Sequence, residues 1–219
     1  MPDKNETYLI HKNGWTFRLR PPQSDDGKTA KALILIHGWT GDENSMWVFA
    51  RNFAPEFCIL APRGPLATDI GGYGWVKADF HRPSTFAEFE PVAAKLLETL
   101  DPLLLSLGVP LAPLNLMGFS QGTAMAYTLA IQYPQRVSRI AGLSGFLPAG
   151  ADAYLKPGAF SQKQVFIAHG SQDETIPVQW ARDTAQELKQ AGAQVTYCEE
   201  GTGHKLSLTC FTALRTFFQ

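Results

Sequence analysis

The sequence predicts an α/β fold with a mostly parallel central sheet, an N-terminal antiparallel hairpin and helices on both faces. From residue 32 onward, short apolar runs alternate with segments of helical period, which is the pattern of parallel strands joined by helices. The runs are apolar throughout, as in strands that are covered on both faces. Two β-favouring runs joined by a tight-turn signal precede them. The length of 219 residues fits a single domain, 1–219.

The first elements follow from local signals. Residues 8–12 and 15–20 are β-favouring runs separated by Asn13-Gly14, a two-residue hairpin signal. Residues 32–36 form a continuous apolar run that predicts a buried strand. A helix is expected over 44–52, capped by Thr40 with Glu43 or by Asp42 itself.

The next quarter of the chain alternates strand, loop and helix. Residues 57–61 predict a second buried strand. The stretch 66–84 is rich in glycine and aromatic residues and shows no helical period, so it predicts a long surface loop of the kind that is often functional. Apolar residues recur at helical spacing over 85–107, and Pro102 is expected to kink or divide that helix.

The second half repeats the alternation. Strands are predicted at 137–143, 164–168 and 194–198, and a short apolar run that starts at Leu114 predicts another just before Gly118. Helices are predicted at 121–133 and 177–190, with a closing helix that ends at Phe218. In that last helix Phe211, Leu214 and Phe217 are spaced like a face that packs on the core. A homodimer contact is left open as a second use of this face.

Composition excludes several functional classes. The chain has 19 basic and 20 acidic residues, a net charge of −1 and no run of like charge. This argues against a nucleic-acid groove and against a polybasic membrane anchor. The long apolar stretch 102–119 is interrupted by glycine and proline, so no stable membrane insertion is expected. The polar N-terminus lacks the apolar core of a secretory signal, which predicts a cytoplasmic location.

The three cysteines are Cys58, Cys198 and Cys210. Their number is odd, their spacing does not suit a metal, and two lie in apolar or strand-like contexts. They are therefore expected to be buried reduced thiols rather than a disulfide framework or a zinc site. No metal or cofactor is expected.

The pentapeptide 118–122, Gly-Phe-Ser-Gln-Gly, is the strongest chemical signal. It lies between a predicted strand and a predicted helix, where the pattern G-x-S-x-G forms a nucleophile elbow. A serine forced into so tight a turn crowds its neighbours, so the flanking positions need residues without a Cβ. Ser120 is therefore the candidate nucleophile, at the positive end of a helix.

Two further candidates also follow predicted strands, at the edge where open α/β sheets place ligands. His204 would take the proton of Ser120, and Asp173 would hold the imidazole in the required tautomer. His11 and His81 lack a strand-end setting, while His37 and His169 lie in His-Gly pairs. Asp152 lies in a glycine-rich loop and Asp183 lies inside a helix. A histidine base must be neutral, so activity is expected to fall as the pH drops through roughly 6 to 7.

An acyl-transfer site also needs donors for the developing oxyanion. The backbone N–H groups of Gln121, directly after the nucleophile, and of Trp39, after His37-Gly38, are in suitable positions. His37 is expected to brace its loop rather than to carry a proton.

Four motifs in order make the chain from about residue 32 resemble the phospholipase/carboxylesterase family of α/β hydrolases, which includes acyl-protein thioesterases. They are Gly-Phe-Ser-Gln-Gly at 118–122, His37-Gly38-x-x-Gly41-Asp42, His169-Gly-x-x-Asp173-x-x-Ile-Pro177 and Gly203-His204. The resemblance implies the α/β-hydrolase fold and a serine esterase without metal or cofactor, with Ser120, Asp173 and His204 as its triad.

The chain departs from the family pattern at two places, and these shape the expected substrate. Thr123 stands where a second glycine is usual, and the oxyanion loop has one more residue and carries Trp39. An aromatic side chain there is expected to narrow the acyl pocket, which favours small esters of short to medium acyl chain. A thioesterase or lysophospholipase, and a non-catalytic ligand-binding protein on a hydrolase scaffold, are the alternatives.

Four aromatic residues in predicted loops are candidates for substrate binding: Trp75, Tyr73, Phe80 and Phe146. They fall on the presumed active face and are suited to lining an acyl or alcohol pocket. A small satellite core beneath these loops is the equal alternative.

Overall fold

The computed structural model describes residues 7–23, 30–79 and 82–219. Its strands are β1 (Tyr8–Lys12), β2 (Trp15–Arg20), β3 (Lys31–Ile36), β4 (Phe57–Pro62), β5 (Leu66–Ala67), β6 (Tyr73–Gly74), β7 (Leu114–Phe119), β8 (Val137–Leu143), β9 (Gln164–Gly170) and β10 (Gln194–Glu200). The α-helices are α1 (Phe86–Ser106), α2 (Gln121–Gln132), α3 (Val178–Gln190) and α4 (Leu208–Phe217).

One eight-stranded sheet, in the order β1-β2-β4-β3-β7-β8-β9-β10, forms the centre of the molecule. The hairpin β1/β2 and the pair β2/β4 are antiparallel, and every other neighbouring pair in this sheet is parallel. The predicted mostly parallel sheet with an N-terminal antiparallel hairpin is thus confirmed. Because β7, β9 and β10 are parallel, their carboxyl ends meet at one edge of the sheet.

The core lies on both faces of this sheet. Alternate residues of β3 point to opposite faces. Ile34 and Ile36 pack in the cluster that includes α1, α2 and α3. Leu33 and Leu35 pack in the cluster built from the 46–53 segment and α4. Each strand of the parallel centre is therefore covered twice, which is why its sequence is apolar throughout.

Two predicted helices differ in detail. The segment expected to be helical over 44–52 forms only a short 3₁₀ helix, Trp47–Asn52. The Asp42 carboxylate accepts bonds from the N–H groups of Asn44 and Ser45, at 2.9 and 3.0 Å, so it stabilises a turn ahead of the helix. In contrast, α1 runs unbroken through Pro102.

The loop predicted over 66–84 is largely irregular, but β5 and β6 pair within it as a two-stranded antiparallel sheet. Tyr73 also donates its N–H to the carbonyl of Gly41 at 2.8 Å, which attaches the loop to the segment after β3. Phe80 and His81 lie outside the described residues.

The cysteine prediction is wrong for two of the three residues. Cys198 of β10 and Cys210 of α4 form a disulfide, because β10 and α4 pack side by side. Twelve residues separate the two cysteines in sequence, and nothing in that spacing signals the contact. Cys58 is a buried free thiol, as expected, and its burial raises its pKa to about 12.

Among the described residues, no helix has both the length and the hydropathy required to cross a membrane.

Candidate active site

Ser120 lies in the sharp turn between β7 and α2. Its backbone adopts φ 53° and ψ −119°, a region that an L-residue occupies only when its surroundings impose it. Its N–H donates to the carbonyl of Leu143 at the end of β8, at 2.9 Å. The turn therefore places Ser120 at the carboxyl edge of the sheet, as the sequence predicted.

The two flanking glycines permit this turn. A Cβ on Gly118 would lie 2.3 Å from the carbonyl oxygen of Gly122, and a Cβ on Gly122 would lie 2.1 Å from that of Ile36. Both distances are far shorter than a carbon–oxygen contact. The start of α2 can approach β3 and β7 this closely only without side chains at these positions.

Thr123 fastens the same turn from the side of the sheet. Its N–H donates to the carbonyl of Ser120 at 2.9 Å. Its hydroxyl lies 2.9 Å from the carbonyl oxygen of Gly118 and accepts a bond from the N–H of Leu143 at 3.1 Å. Where the family pattern has a glycine, this chain thus carries a buried hydroxyl that links β7 to β8 beneath the nucleophile.

Asp173 and His204 meet at the same edge. The Asp173 side chain is fully buried, and its Oδ1 accepts bonds from the N–H groups of Thr175 and Ile176, both at 2.9 Å. Its Oδ2 lies 2.7 Å from Nδ1 of His204. The His204 ring packs against Phe119, with ring centroids 4.9 Å apart, so the imidazole stands beside the residue that precedes Ser120.

A second histidine, His169, touches the same carboxylate. Its Nε2 lies 2.9 Å from the carbonyl oxygen of Ile176 and 3.3 Å from Oδ2 of Asp173. Both neighbours accept hydrogen bonds, so Nε2 must carry the proton. Its Nδ1 is buried without a partner among the described residues, which suits the neutral ring. Oδ2 of Asp173 therefore faces two N–H donors.

The loop after β3 carries Trp39. His37 accepts a bond from the N–H of Gly64 on Nε2 at 2.8 Å, and its Nδ1 donates to the carbonyl of Gly38 at 2.7 Å. Burial lowers the pKa of His37, which keeps the ring neutral. His37 thus braces the loop, as expected.

The Gln121 side chain is occupied elsewhere. Its Oε1 accepts the N–H of Trp75 at 2.8 Å, and its Nε2 donates to the carbonyl of Val76 at 3.0 Å. Within Gln121, the backbone N–H at the start of α2 is therefore the donor that could bind an oxyanion, and the side-chain amide is not.

An ion pair between the buried Glu43 and the half-buried Arg63 supports the same region. Arg63 contacts Glu43 through two nitrogens, at 2.6 and 2.8 Å, and its guanidinium lies 4.6 Å from the centroid of the Tyr73 ring. The hydrogen bonds from Arg63 lower the pKa of Glu43, and the same bonds raise the pKa of Arg63. Tyr73 is thus held in a structural contact.

Two cavities share the residue Trp39, and Ser120 lines the first of them. The first, of about 310 Å³, is named here the Trp180 cavity; its lining includes Trp39, Ser120, Gln121, Phe146, Ile176 and Trp180. The second, of about 390 Å³, is named the His204 cavity; its lining includes Trp39, Met46, Phe49, Phe119, His204 and Leu206.

The structure divides the four aromatic candidates for substrate binding. Phe146 lines the Trp180 cavity. Trp75 is 1% exposed and belongs to the core, where its Nε1 donates to the carbonyl of His37 at 2.7 Å, so its assignment to the pocket is corrected. Tyr73 lines neither cavity and packs on Arg63. Phe80 is outside the described residues.

Sequence reasoning missed Trp180 and Ile176 as lining residues. Both closely follow Asp173, and Trp180 lies in the first turn of α3. Residues just beyond a strand-end catalytic candidate share its edge of the sheet, so the position of Asp173 was the available signal.

A family model described as Phospholipase/Carboxylesterase matches residues 23–219. The chain belongs to the phospholipase/carboxylesterase family. It is 26% identical to acyl-protein thioesterase 1 of Schizosaccharomyces pombe over 205 residues, which cover 85% of this chain and 89% of that protein. It is 29% identical to lysophospholipase-like protein 1 of Mus musculus over 211 residues, covering 89% and 88%.

Solved structures agree with this assignment. The crystal structure of esterase PE8 superposes with a TM-score of 0.78 at 25% identity, covering 91% of this chain and 95% of that one. This member of the phospholipase/carboxylesterase family is therefore a serine hydrolase with the α/β-hydrolase fold. Family membership leaves carboxylesterase, thioesterase and phospholipase substrates equally open.

Proposed function

We propose that the protein is a carboxylesterase that hydrolyses small esters of short to medium acyl chain, with Ser120 as nucleophile, His204 as base and Asp173 as its orienting acid. The observation that carries the proposal is the 2.7 Å contact between Nδ1 of His204 and the buried Oδ2 of Asp173, formed beside a serine whose backbone is held at φ 53°.

Proton transfer follows from this geometry. The carboxylate of Asp173 accepts a hydrogen bond from the N–H at Nδ1 of His204, which leaves Nε2 as the proton acceptor. Nε2 takes the proton of Ser120 as Oγ attacks the ester carbonyl, and Asp173 stabilises the imidazolium that forms. The two backbone N–H groups on Oδ1 keep the carboxylate in one orientation throughout.

The oxyanion would be bound by backbone N–H groups of Trp39 and Gln121. Both residues line the cavity that also contains Ser120. The Gln121 side chain is fixed to the 75–76 backbone, so the start of α2 is held in place. Preorganised donors of this kind contribute about 10²- to 10³-fold each to kcat.

The size of the acyl chain is inferred from the Trp180 cavity. A volume of about 310 Å³ is at the small end of ligand pockets, which span roughly 300–1,000 Å³. Trp39 lines this cavity, which is consistent with the proposed preference for short chains. The site therefore favours acetyl to octanoyl groups over palmitoyl.

A thioesterase is the second candidate, because relatives of this chain include acyl-protein thioesterase 1 of Schizosaccharomyces pombe. The same nucleophile and base act on both ester and thioester carbonyls, so the triad does not separate them. The preference for small esters rests on the small cavity. A cytoplasmic location, a possible homodimer and the absence of a nucleic-acid partner stay predictions.

The decisive experiment is hydrolysis of p-nitrophenyl esters from acetate to palmitate, with S-acyl thioesters of the same chain lengths in parallel. Ser120→Ala is the test variant. Ser171→Ala, which changes an exposed serine at the end of β9, is the matched control. We expect kcat/KM to peak between butyrate and octanoate, to vanish in Ser120→Ala and to stay within about twofold in the control.

Other outcomes assign the function differently. A peak at palmitate would move the assignment to lipid or acyl-protein substrates. Thioesters hydrolysed at least tenfold faster than the matched esters would establish the thioesterase. Activity retained by Ser120→Ala would remove Ser120 from the mechanism.

A further inference from the structure

The two cavities that Trp39 lines have different linings, and His204 lines one of them. We propose that the His204 cavity binds the leaving group of the ester and that it takes an uncharged apolar alcohol, such as an alkyl or benzyl alcohol. The inference rests on the proposed function and adds the alcohol half of the substrate.

The first argument concerns the proton. When the tetrahedral intermediate collapses, the bond between the carbonyl carbon and the alcohol oxygen breaks, and the acyl group stays on Oγ of Ser120. The departing oxygen takes the proton that His204 received from Ser120, so the alcohol leaves neutral. The alcohol oxygen must therefore lie within hydrogen-bond reach of His204.

The second argument concerns the other substituents of the ester carbonyl carbon, which are the oxyanion and the acyl chain. The oxyanion faces the N–H groups of Trp39 and Gln121. The acyl chain then has the Trp180 cavity, which includes Ser120 and Gln121 in its lining. The alcohol has the His204 cavity, whose lining includes His204. Each substituent thus has its own space, and Trp39 lines both spaces.

The third argument concerns the chemistry of the His204 cavity. Four of its lining residues are large and apolar: Met46, Phe49, Phe119 and Leu206. All four belong to, or pack on, the core cluster beneath this face of the sheet, and the Phe49 ring lies 5.8 Å from that of Phe211 of α4. The floor of the cavity is thus a fixed apolar surface, which gains free energy by covering an alkyl or aryl group.

Charge narrows the class of alcohol. Among the residues that line the cavity, Lys205 carries a fixed charge, and it is exposed. The described lining contains no carboxylate, so a cationic alcohol such as choline would meet no counter-charge there. An exposed lysine at the rim contributes little to binding of an anionic group, which leaves the apolar floor to decide.

The experiment fixes the acyl group as butyrate and varies the alcohol: methanol, octanol, benzyl alcohol, choline and glycerol 3-phosphate. The proteins compared are wild type, Phe49→Ala in the His204 cavity and, as a matched control in the Trp180 cavity, Trp180→Ala. Each is also assayed on p-nitrophenyl acetate, butyrate and octanoate, which gives its acyl-length profile. Active enzyme is titrated with a fluorophosphonate, so that a fraction of misfolded variant does not enter kcat.

We expect wild type to prefer octyl and benzyl butyrate over methyl butyrate by about tenfold or more in kcat/KM. In Phe49→Ala the ratio of kcat/KM on octyl butyrate to that on methyl butyrate should fall about tenfold, equivalent to about 1.4 kcal/mol, while the acyl-length profile keeps its wild-type shape. Trp180→Ala should change the acyl-length profile and leave the alcohol preference unchanged. If Phe49→Ala does not fold, Leu206→Ala makes the same comparison.

The inference is overturned by equal rates on methyl and octyl butyrate or by a preference for the choline or glycerophosphate ester. It is also overturned if Phe49→Ala changes the acyl-length profile and Trp180→Ala changes the alcohol preference. Hydrolysis without the expected alcohol preference would reject this subsite and keep the proposed function. No Ser120-dependent hydrolysis of any ester would reject the proposed function, and the subsite with it.

Discussion

The most informative single substitution is Asp173→Asn, because each oxygen of this carboxylate has a defined pair of donors. Oδ1 accepts the N–H groups of Thr175 and Ile176, and Oδ2 faces Nδ1 of His204 and Nε2 of His169. An asparagine must turn its NH₂ toward one of these pairs. If it turns toward the histidines, Nδ1 of His204 must accept, and the proton moves to Nε2, where it blocks the base.

The magnitude follows from this choice. If the amide oxygen faced His204 instead, the NH₂ would leave two backbone donors unpaired in a buried place, at about 1–3 kcal/mol each. The blocked tautomer is therefore favoured. In serine hydrolases a wrong tautomer costs about 10⁴ in kcat, which is about 5.5 kcal/mol of activation free energy. Because the Asp173 side chain is fully buried, KM should change by less than about threefold.

The assay is steady-state hydrolysis of p-nitrophenyl butyrate at pH 8, normalised by the fraction folded from circular dichroism. Asp183→Asn is the matched control, since Asp183 is exposed on α3 and its Oδ1 accepts a bond from Gln179; it should keep kcat within about twofold. If folded Asp173→Asn kept more than a tenth of wild-type kcat, Asp173 would not be the group that sets the tautomer of His204.

Three further predictions concern the frame around the site. Thr123→Val should lower the free energy of unfolding by about 1–3 kcal/mol, because it removes the hydroxyl that pairs with the N–H of Leu143. Thr123→Ser keeps the hydroxyl and should lose less than about 1 kcal/mol. Urea titration compares the two variants, and equal losses would contradict the role of the hydroxyl. The double variant Cys198→Ala/Cys210→Ala should lower the free energy of unfolding by roughly 3 kcal/mol, because a disulfide across a loop of this length reduces the entropy of the unfolded chain by about that amount. A reductant should lower the Tm of wild type but not of the double variant. Glu43→Gln should lower the free energy of unfolding by about 2 kcal/mol at pH 7. Because the pKa of Glu43 is lowered in the fold, the extra stability of wild type should be present above about pH 4.5 and disappear as the pH falls further. A difference in Tm between the two proteins that does not change from pH 7 to pH 3 would refute this prediction.

Much of the fold was predictable from the sequence, because its signals are local. The strands of the parallel centre are largely apolar runs, and the observed β8 has the predicted bounds. Topology then brings Ser120, Asp173 and His204 to one edge, since each follows a parallel strand. Their proximity thus required the order of elements along the chain and no knowledge of side-chain packing.

The errors share a physical cause, which is that they concern partners distant in sequence. Trp75 was assigned to a pocket because it lies in a loop, yet its indole donates to the carbonyl of His37, 38 residues away. The disulfide between Cys198 and Cys210 depends on the packing of α4 beside β10. Spacing between residues encodes a helix or a turn, but it does not encode which surfaces of two elements will face each other.

The sequence by itself therefore determined the order of strands and helices, the strained turn at Ser120 and the edge of the sheet where the chemistry belongs. Periodicity and glycine placement act over a few residues, and the parallel topology then places the ends of the strands at one edge of the sheet. Only the tertiary structure decided that Trp39 lines two cavities and that His169 shares the carboxylate of Asp173. It also decided that Trp75 belongs to the core whereas Phe146 lines a cavity. These features depend on side chains from distant segments filling one space, and close packing, rather than any local preference, selects their positions.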